Sequence, residues 1–435
     1  MEIDRSEIVE DFKDQSSEET LKKAKEAYKK HVKIGDDDES LTLPGSQLLT
    51  LNFGPQHPAT HGTLRMVMQL DGETIVNLDP SPGYLHTGFE KLAEHHTFNQ
   101  FIAVTDRMNY LSPMSNNIGF AQAAEKLLGI TLTERAQYIR MIQGELSRIA
   151  DHLVNIGTHA LDLGAFTVFL YTFRQREFIY DLFEESTGSR LTTSYTRIGG
   201  VVRDFPEDHP RHIAQWCKQF KATCTDQVEG LLNHNKIFLD RTQNVGKISA
   251  EDAINCGMTG PCLRASGVAT DIRKDEPYLK YDEVDFDVPI GTEGDVYERY
   301  LVRMEEMKQS IRIIEQCLER MKPGPVKVAD HTIALPDKNK VYGSIEGLIH
   351  HFKLIMDQHG IAMPKGEIYD ATEAPNGELG WYIVSNGEGT PYKVHVRAPS
   401  FIHFGMMSHM AKGGLIGDAV AILGSMNVIA GECDR

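Results

Sequence analysis

The sequence predicts an α+β protein with an N-terminal β-hairpin and sheet, a central helical bundle and a C-terminal mixed α/β segment. Three patterns predict this: alternating apolar residues over 64–70, a helical apolar stripe from residue 139, and short strand-like segments after residue 326. Its 435 residues suffice for two or three packed units. We divide them into an acidic arm (1–46), a β region (47–90), a helical domain (91–325) and an α/β region (326–435).

Composition excludes several classes of protein. The net charge is −17, which argues against direct nucleic-acid binding because that needs a basic, phosphate-facing surface. No stretch approaches the roughly 18 apolar residues of a membrane span. The acidic first residues have no apolar core, so neither a secretory signal nor a transit peptide is expected. At a membrane, the chain would therefore be held by partner proteins.

The acidic arm carries thirteen acids and eight bases, a local net charge of −5. Its Glu–Lys pairs four residues apart predict a solvated helix over about 17–33. The four consecutive acids at 36–39 indicate an exposed linker.

The β region begins with a predicted strand at 48–53. Alternating apolar residues and the pair Asp71-Gly72 then predict a hairpin with a two-residue turn before a strand at 74–78. Between them, residues 54–62 hold two prolines, two glycines and two histidines, which excludes a helix or a central strand. This segment is predicted to be a shaped loop.

The helical domain has one especially clear helix starting near Thr133. Its apolar residues recur every three or four positions: Ile139, Ile142, Leu146, Ile149, Leu153 and Ile156. Gly157 and Gly164 are expected to bracket a break before a second helix that ends at Gly188. Further helices are expected near 208–232, 293–321 and 344–358, and strands near 366–369, 379–385 and 392–396, before short C-terminal helices.

Six cysteines in 435 residues are too few for a secreted disulfide framework. No two of them form a C-x-x-C pair, so a metal site made by this chain alone is not expected. Neither G-x-G-x-x-G after a strand nor a P-loop motif occurs, which leaves nucleotide binding by this chain unsupported.

Four polar segments could carry chemistry: the loop with His57 and His61, residues 105–112, residues 158–164, and residues 431–435. Singly, each has an ordinary structural explanation, such as a turn histidine, a core Tyr110, or Asp162 capping a helix. Together they suit a quinone headgroup, because its two oxygens each need a proton after two-electron reduction. A histidine oriented by a carboxylate and a tyrosine hydroxyl are suitable donors.

These segments resemble the 49-kDa (D-type) subunit of respiratory complex I, the proton-pumping NADH:quinone oxidoreductase. The resemblance runs from about residue 48 to residue 435. It is carried by LNFGPQHPATHGTLR, GYLHTGFEKLAEHHT, DRMNYLSPMSNN, THALDLGAFTVF, YTRIGGV, GPCLRASGV, RAPSF and GECDR.

The resemblance implies roles for individual residues. His61 and Tyr110 match the residues that bind and protonate the quinone headgroup, and Asp162 matches the carboxylate that pairs with the histidine. Three further positions match residues that line the same cavity: Ser112, Thr158 and Phe169. His57 is expected to shape the loop.

The resemblance also implies partners and a location. Electrons would come from NADH through other subunits, the last carrier being a [4Fe–4S] cluster on the B-type subunit, with no cofactor held by this chain alone. The C-type and membrane-arm subunits would be neighbours on the cytoplasmic side of a bacterial inner membrane. A charge change at the site would start proton pumping.

The same family descends from nickel–iron hydrogenase large subunits, which implies a hydrogenase-like fold. Asn109 and Ser112 stand where the first metal-binding C-x-x-C pair would be, and Ile429 and Glu432 where the second would be. Cys433 is one position away, and a lone thiolate cannot hold the metal pair.

Two positions depart from the family pattern. Thr192 replaces a histidine that many members place near the terminal cluster, which should lower the cluster potential and weaken its pH dependence. We therefore expect a low-potential quinone such as menaquinone. Thr87 replaces an arginine that often follows GYLH, so no charge or arginine modification is expected there.

Three alternatives remain at this stage. A nickel–iron hydrogenase large subunit is opposed by the missing C-x-x-C pairs. A complex fed by ferredoxin or a reduced deazaflavin is not separable from one fed by NADH, because electron input lies on other chains. A non-catalytic scaffold is opposed by the intact His61, Tyr110 and Asp162.

Overall fold

The computed structural model describes residues 48–221, 226–356 and 359–435, so the helix and linker predicted in the acidic arm lie outside the described residues. The strands are β1 (Leu49–Phe53), β2 (Arg65–Asp71), β3 (Thr74–Ser81), β4 (Thr196–Arg197), β5 (Gly200–Val201), β6 (Gly366–Ala374), β7 (Gly377–Ser385) and β8 (Lys393–Arg397). They form three antiparallel sheets, β1-β2-β3, β4-β5 and β6-β7-β8.

Helices make up most of the remainder. The first half contains α1 (Phe89–Ala93), α2 (Phe98–Thr105), α3 (Pro113–Leu128), α4 (Glu134–Asp162), α5 (Phe166–Thr187), α6 (His209–Phe220), α7 (Asp226–Leu232) and α8 (Lys236–Thr242). The second half contains α9 (Ala250–Asn255), α10 (Gly260–Arg264), α11 (Ile272–Asp275), α12 (Val296–Arg320), α13 (Lys338–Gly343), α14 (Ile345–Ile355), α15 (Pro399–Gly405), α16 (Met407–Ala411), α17 (Ile416–Met426) and α18 (Ala430–Asp434). Among the described residues, no helix combines the length and apolar character needed to cross a lipid bilayer.

The N-terminal hairpin is confirmed. Asp71 pairs with Thr74, so Gly72 and Glu73 form the two-residue turn, one position later than predicted. The alternating apolar residues of β2 are buried against the C-terminal helices α15–α18, in one core shared by both ends of the described chain. This packing places the β1–β2 loop beside α18.

The predicted stripe of α4 is buried throughout, but the predicted break at Gly157 is wrong. The helix continues to Asp162, and α5 crosses it very closely. A Cβ on Gly157 would lie 2.2 Å from the Thr172 hydroxyl oxygen, so glycine serves here as a contact point rather than a helix end. The second helix ends at Thr187, with Gly188 in a left-handed conformation, as expected.

The later elements follow the predicted order. The 208–232 region contains α6 and α7, and the 293–321 region is α12. The C-terminal strands occur at the expected places and are mostly longer than predicted. This mixed α/β architecture with small sheets agrees with the predicted fold class, whereas the hydrogenase-like relationship and the four-region division stay predictions.

A buried ion network fixes α4 against its neighbours. Glu145 of α4 accepts hydrogen bonds of 2.6 Å from both the Tyr281 and Ser310 hydroxyls and pairs with Arg273. Arg264 bridges Glu306 of α12 and a carboxylate of β6. Removing one partner of such a buried pair costs about 3–5 kcal/mol, so the network holds α4, which carries Asp162, in one position.

Candidate functional site

The β1–β2 loop has a shape fixed by local contacts. A Cβ on Gly54, whose φ is +86°, would lie 1.9 Å from the Leu64 carbonyl oxygen, so only glycine fits there. His57 Nδ1 accepts a hydrogen bond of 3.2 Å from the Ala59 amide, and its ring packs 4.1 Å from that of Phe53. His57 thus shapes the loop, as expected, and a short 3-10 turn over Pro58–Thr60 leads to His61.

The structure brings His61 and Asp162 together. His61 lies in the left-handed region with φ +51°, which is uncommon outside glycine, and its Nε2 is 2.7 Å from Asp162 Oδ2. Asp162 is the last residue of α4, while Ala165 precedes α5, so Asp162 does not cap a helix. The two side chains are 21% and 13% exposed, which leaves the pair partly accessible.

Tyr110 approaches the same place from the turn between α2 and α3. Asn109 Oδ1 shapes this turn by accepting the amides of Leu111 and Ser112, each at 3.2 Å. The Tyr110 hydroxyl lies 3.8 Å from where a Cβ on Gly62 would stand, directly after His61. Burial, and then the charge of Asp151, raise the Tyr110 pKa, so its hydroxyl carries its proton at neutral pH.

A second histidine beside this pair is neutral. His159, one turn before the end of α4, is fully buried. Burial, followed by the charge of nearby His61, lowers its pKa to about 3. His159 is therefore uncharged at neutral pH.

Of the three other residues predicted to line the cavity, Phe169 and Thr158 lie beside Gly157, and Ser112 lies in the Tyr110 turn. Phe169 packs across Gly157, with its Cα 3.5 Å from where a Cβ on that glycine would stand. Thr158 follows Gly157, and its hydroxyl donates to the Val154 carbonyl oxygen at 2.8 Å. Ser112 is fully buried, and its hydroxyl has no hydrogen-bond partner among the described residues.

A cavity of about 340 Å³ lies elsewhere, against α2, the β4–β5 turn and α14. Arg197 and Lys327 contribute to its wall, and none of the six predicted site residues does.

The Tyr110 turn and α18, where the resemblance places the two missing C-x-x-C pairs, pack against each other. A Cβ on Gly431 would lie 2.6 Å from the Met108 carbonyl oxygen, so α18 lies directly on the Tyr110 turn. Glu432 accepts a short hydrogen bond from Ser400, and the Ser400 oxygen accepts one from the Ile429 amide at 3.3 Å. No group of three potential metal-ligating side chains occurs in the described part of the chain.

Sequence reasoning missed a buried acid beside this contact. Asp151 of α4 is fully buried and accepts a hydrogen bond of 2.6 Å from Asn427 Nδ2. Burial raises the Asp151 pKa, and burial also raises that of Glu432, to about 7. The sequence carried no signal for Asp151, because a charged residue in an amphipathic helix is ordinarily assigned to the solvated face.

The C-terminal residues clamp an exposed loop through contacts that the sequence did not predict. The Asp434 carboxylate accepts the amides of Gly83 at 2.8 Å and Leu85 at 2.7 Å. His86 Nδ1 lies 2.6 Å from the Asp434 carbonyl oxygen. The clamp fixes the segment that ends at the exposed Thr87 beside α18.

Comparisons with known proteins identify the family to which the chain belongs. The family model described as "Respiratory-chain NADH dehydrogenase, 49 Kd subunit" matches residues 162–435. The D-type NADH-quinone oxidoreductase subunit of Geotalea uraniireducens is 50% identical over 393 residues, 90% of this chain and 100% of the relative. The D-type subunit of Myxococcus xanthus is 52% identical over 387 residues, 89% of this chain and 92% of the relative.

A fused relative matches equally well. In Bdellovibrio bacteriovorus, a C/D-type NADH-quinone oxidoreductase subunit is 52% identical over 387 residues, which are 89% of this chain and 69% of the relative.

Proposed function

Because the chain belongs to the 49-kDa subunit family of respiratory-chain NADH dehydrogenase, we propose that His61, Tyr110 and Asp162 bind and protonate a quinone headgroup. The protein is a subunit of NADH-quinone oxidoreductase, an electron-transport complex. The observation that carries the proposal is the convergence of three distant segments: the His61–Asp162 contact of 2.7 Å, and the Tyr110 hydroxyl next to Gly62.

The geometry assigns a direction to proton transfer from His61. Its Nε2 is engaged by Asp162, so Nδ1 is the nitrogen left to face a headgroup oxygen. With both nitrogens protonated, Nδ1–H donates to the headgroup while Asp162 stabilises the imidazolium. Once Nδ1 gives up its proton, the pair changes from net neutral to net negative.

Tyr110 serves the other headgroup oxygen. Its raised pKa keeps the hydroxyl protonated until the headgroup oxygen gains negative charge on reduction. Two electrons and the protons of His61 and Tyr110 together convert the quinone to hydroquinone. The electrons are supplied by the terminal [4Fe–4S] cluster of a neighbouring B-type subunit.

The proposed setting is the peripheral arm of a proton-translocating complex on the cytoplasmic side of a bacterial inner membrane. The C/D fusion in Bdellovibrio supports a C-type neighbour, and the membrane-arm subunits would complete the site. The new negative charge at His61–Asp162 would then act on the membrane arm, since charge in a water-poor site acts over long distances. The relatives' names favour NADH over ferredoxin or deazaflavin as donor.

The quinone is proposed to be of low potential, such as menaquinone. Thr192 is half-buried in the segment that leads into β4 and supplies no positive charge near the proposed cluster. A neutral residue there stabilises the reduced cluster less than a charged histidine would, and this lowers the reduction potential of the cluster.

The test is Tyr110→Phe in the assembled complex, which removes one donor while preserving the ring. We expect quinone reduction by NADH to fall by roughly 10²-fold, the lower range for a general acid, while NADH oxidation by an artificial acceptor persists. Tyr392→Phe, at an exposed tyrosine, is the matched control. Unchanged quinone turnover in Tyr110→Phe would refute the assignment.

A further inference from the structure

Two acids beside the candidate site are buried, and neither forms a direct ion pair with a cation in the described part of the chain. Asp151 and Glu432 have no exposed surface, and two amides bridge them. Asn427 Nδ2 lies 2.6 Å from Asp151 Oδ1 and 2.5 Å from Asn376 Oδ1, and Asn376 Nδ2 lies 3.5 Å from Glu432 Oε2. The two carboxyls therefore belong to one hydrogen-bonded unit, which we call the buried acid pair.

The surroundings do not supply enough positive charge for two carboxylates. His152 and Arg303 act favourably on the Asp151 carboxylate, but burial lowers the His152 pKa and its Nε2 already contacts Glu306 at 2.8 Å. Asp151 is the charged group that acts most strongly on Glu432, and it acts unfavourably. Since an unpaired buried charge is costly, the pair is expected to hold a proton at neutral pH.

The pair also adjoins the proposed proton donor. Asp151 lies close enough to Tyr110 for its charge to act on the Tyr110 hydroxyl. Gly431, next to Glu432, packs on the backbone of the Tyr110 turn. The neighbouring Cys433 thiol has a pKa raised by burial and by the acids on either side, so it stays neutral.

We propose that Asp151 and Glu432 share one proton and return it to Tyr110 after the tyrosine has protonated the reduced quinone. This inference rests on the proposed function of Tyr110. The Tyr110 O–H bond breaks when quinone is reduced, and the carboxyl O–H bond breaks when the phenolate is reprotonated. No electrons move in the second step, and the pair, left with two negative charges, is refilled from solution.

The direction of this transfer follows from relative acidity. A phenol with an ordinary pKa near 10, raised further here, takes a proton from a carboxyl whose pKa is about 7. Because the Glu432 pKa is raised, its proton is present below about pH 7 and is lost as the pH rises through that value. Repeated turnover should therefore slow above about pH 7.

The test compares Glu432→Gln with the unaltered assembled complex. Infrared difference spectra should show a protonated-carboxyl band that disappears in the variant. The first turnover should be preserved because Tyr110 begins with its own proton, whereas later turnovers should slow roughly 10-fold and lose their pH dependence near 7. Asp151→Asn removes the negative charge that acts unfavourably on Glu432, so it should shift the band and lower the pH at which later turnovers slow. It provides a second route if Glu432→Gln does not assemble.

The controls separate this inference from the proposed function. Ser400→Ala keeps both carboxyls and should shift the band without abolishing it. A complex without the band, or a Glu432→Gln complex that retains it, would overturn the shared proton. Equal slowing of first and later turnovers would overturn the return step. A harmless Tyr110→Phe substitution would instead overturn the proposed function, whatever the state of the band.

Discussion

The contact between His61 and Asp162 makes the sharpest prediction for this site. Asp162→Asn retains an oxygen that can accept from His61 Nε2 but removes the negative charge that stabilises the doubly protonated ring. We therefore expect His61 to lose the form in which Nδ1 donates to the headgroup, with slower quinone reduction as the result.

The size of the expected loss follows from the strength of the His61–Asp162 hydrogen bond and from its exposure to solvent. A hydrogen bond to a charged group contributes about 1.5–3 kcal/mol, against about 0.5–1.5 kcal/mol for a neutral one. Because the two side chains are 21% and 13% exposed, solvent weakens the difference, and we take a loss of about 1–2 kcal/mol. At about 1.4 kcal/mol per tenfold, the rate should fall about 5- to 30-fold.

The assay is steady-state quinone reduction by NADH in the assembled complex, with an artificial acceptor reporting on the upstream carriers. Asp208→Asn, at an exposed surface pair with Arg211, is the matched control. The reasoning would be refuted by an unchanged rate in Asp162→Asn. It would also be refuted if a double-mutant cycle with His61→Gln showed additive losses, because contacting residues should couple.

The remaining predictions concern the neighbouring cluster and the packing of α5. Thr192→His should raise the reduction potential of the cluster on the B-type subunit and make that potential more dependent on pH. Redox titration at two pH values measures both effects. A high, strongly pH-dependent potential in the unaltered complex would contradict the low-potential assignment. Gly157→Ala gains about 1 kcal/mol of helix propensity but places a Cβ 2.2 Å from the Thr172 oxygen, an overpacking that costs about 1–3 kcal/mol. We expect the Gly157→Ala complex to inactivate at the same or a lower temperature, and the double variant Gly157→Ala/Thr172→Ala to recover. The control is Gly230→Ala, whose Cβ meets nothing within 4 Å and which should stabilise its helix. A clear stabilisation by Gly157→Ala alone would disprove the close contact.

The order and type of most elements could be predicted because they depend on local periodicity. The stripe from Ile139 to Ile156 repeats at helical spacing and is buried, and the alternation in β2 matches the face that packs on the C-terminal helices. The error at Gly157 has a tertiary cause. A glycine looks the same in sequence whether it ends a helix or admits a neighbouring helix, and only the position of Thr172 distinguishes the two.

The candidate site was only partly predictable. The motifs identified His61, Tyr110 and Asp162 through the family resemblance, but no local pattern could show that residues 101 positions apart would lie 2.7 Å from each other. Thr158 and Phe169 lie beside the same helix end, whereas the buried Ser112 hydroxyl has no hydrogen-bond partner among the described residues. The roles of all six residues stay predictions, and the experiments above test those of His61, Tyr110 and Asp162.

Residue order alone was enough to predict the helices, the hairpin, the shaped loop and the family of this protein, since these depend on periodicity and on motifs many residues long. Which polar groups meet depends instead on the tertiary fold. It pairs His61 with Asp162, lays α18 on the Tyr110 turn, and buries Asp151 with Glu432 beside them. The reason is physical: proton affinity depends on burial and on charges brought close in space, and neither quantity is local in the chain.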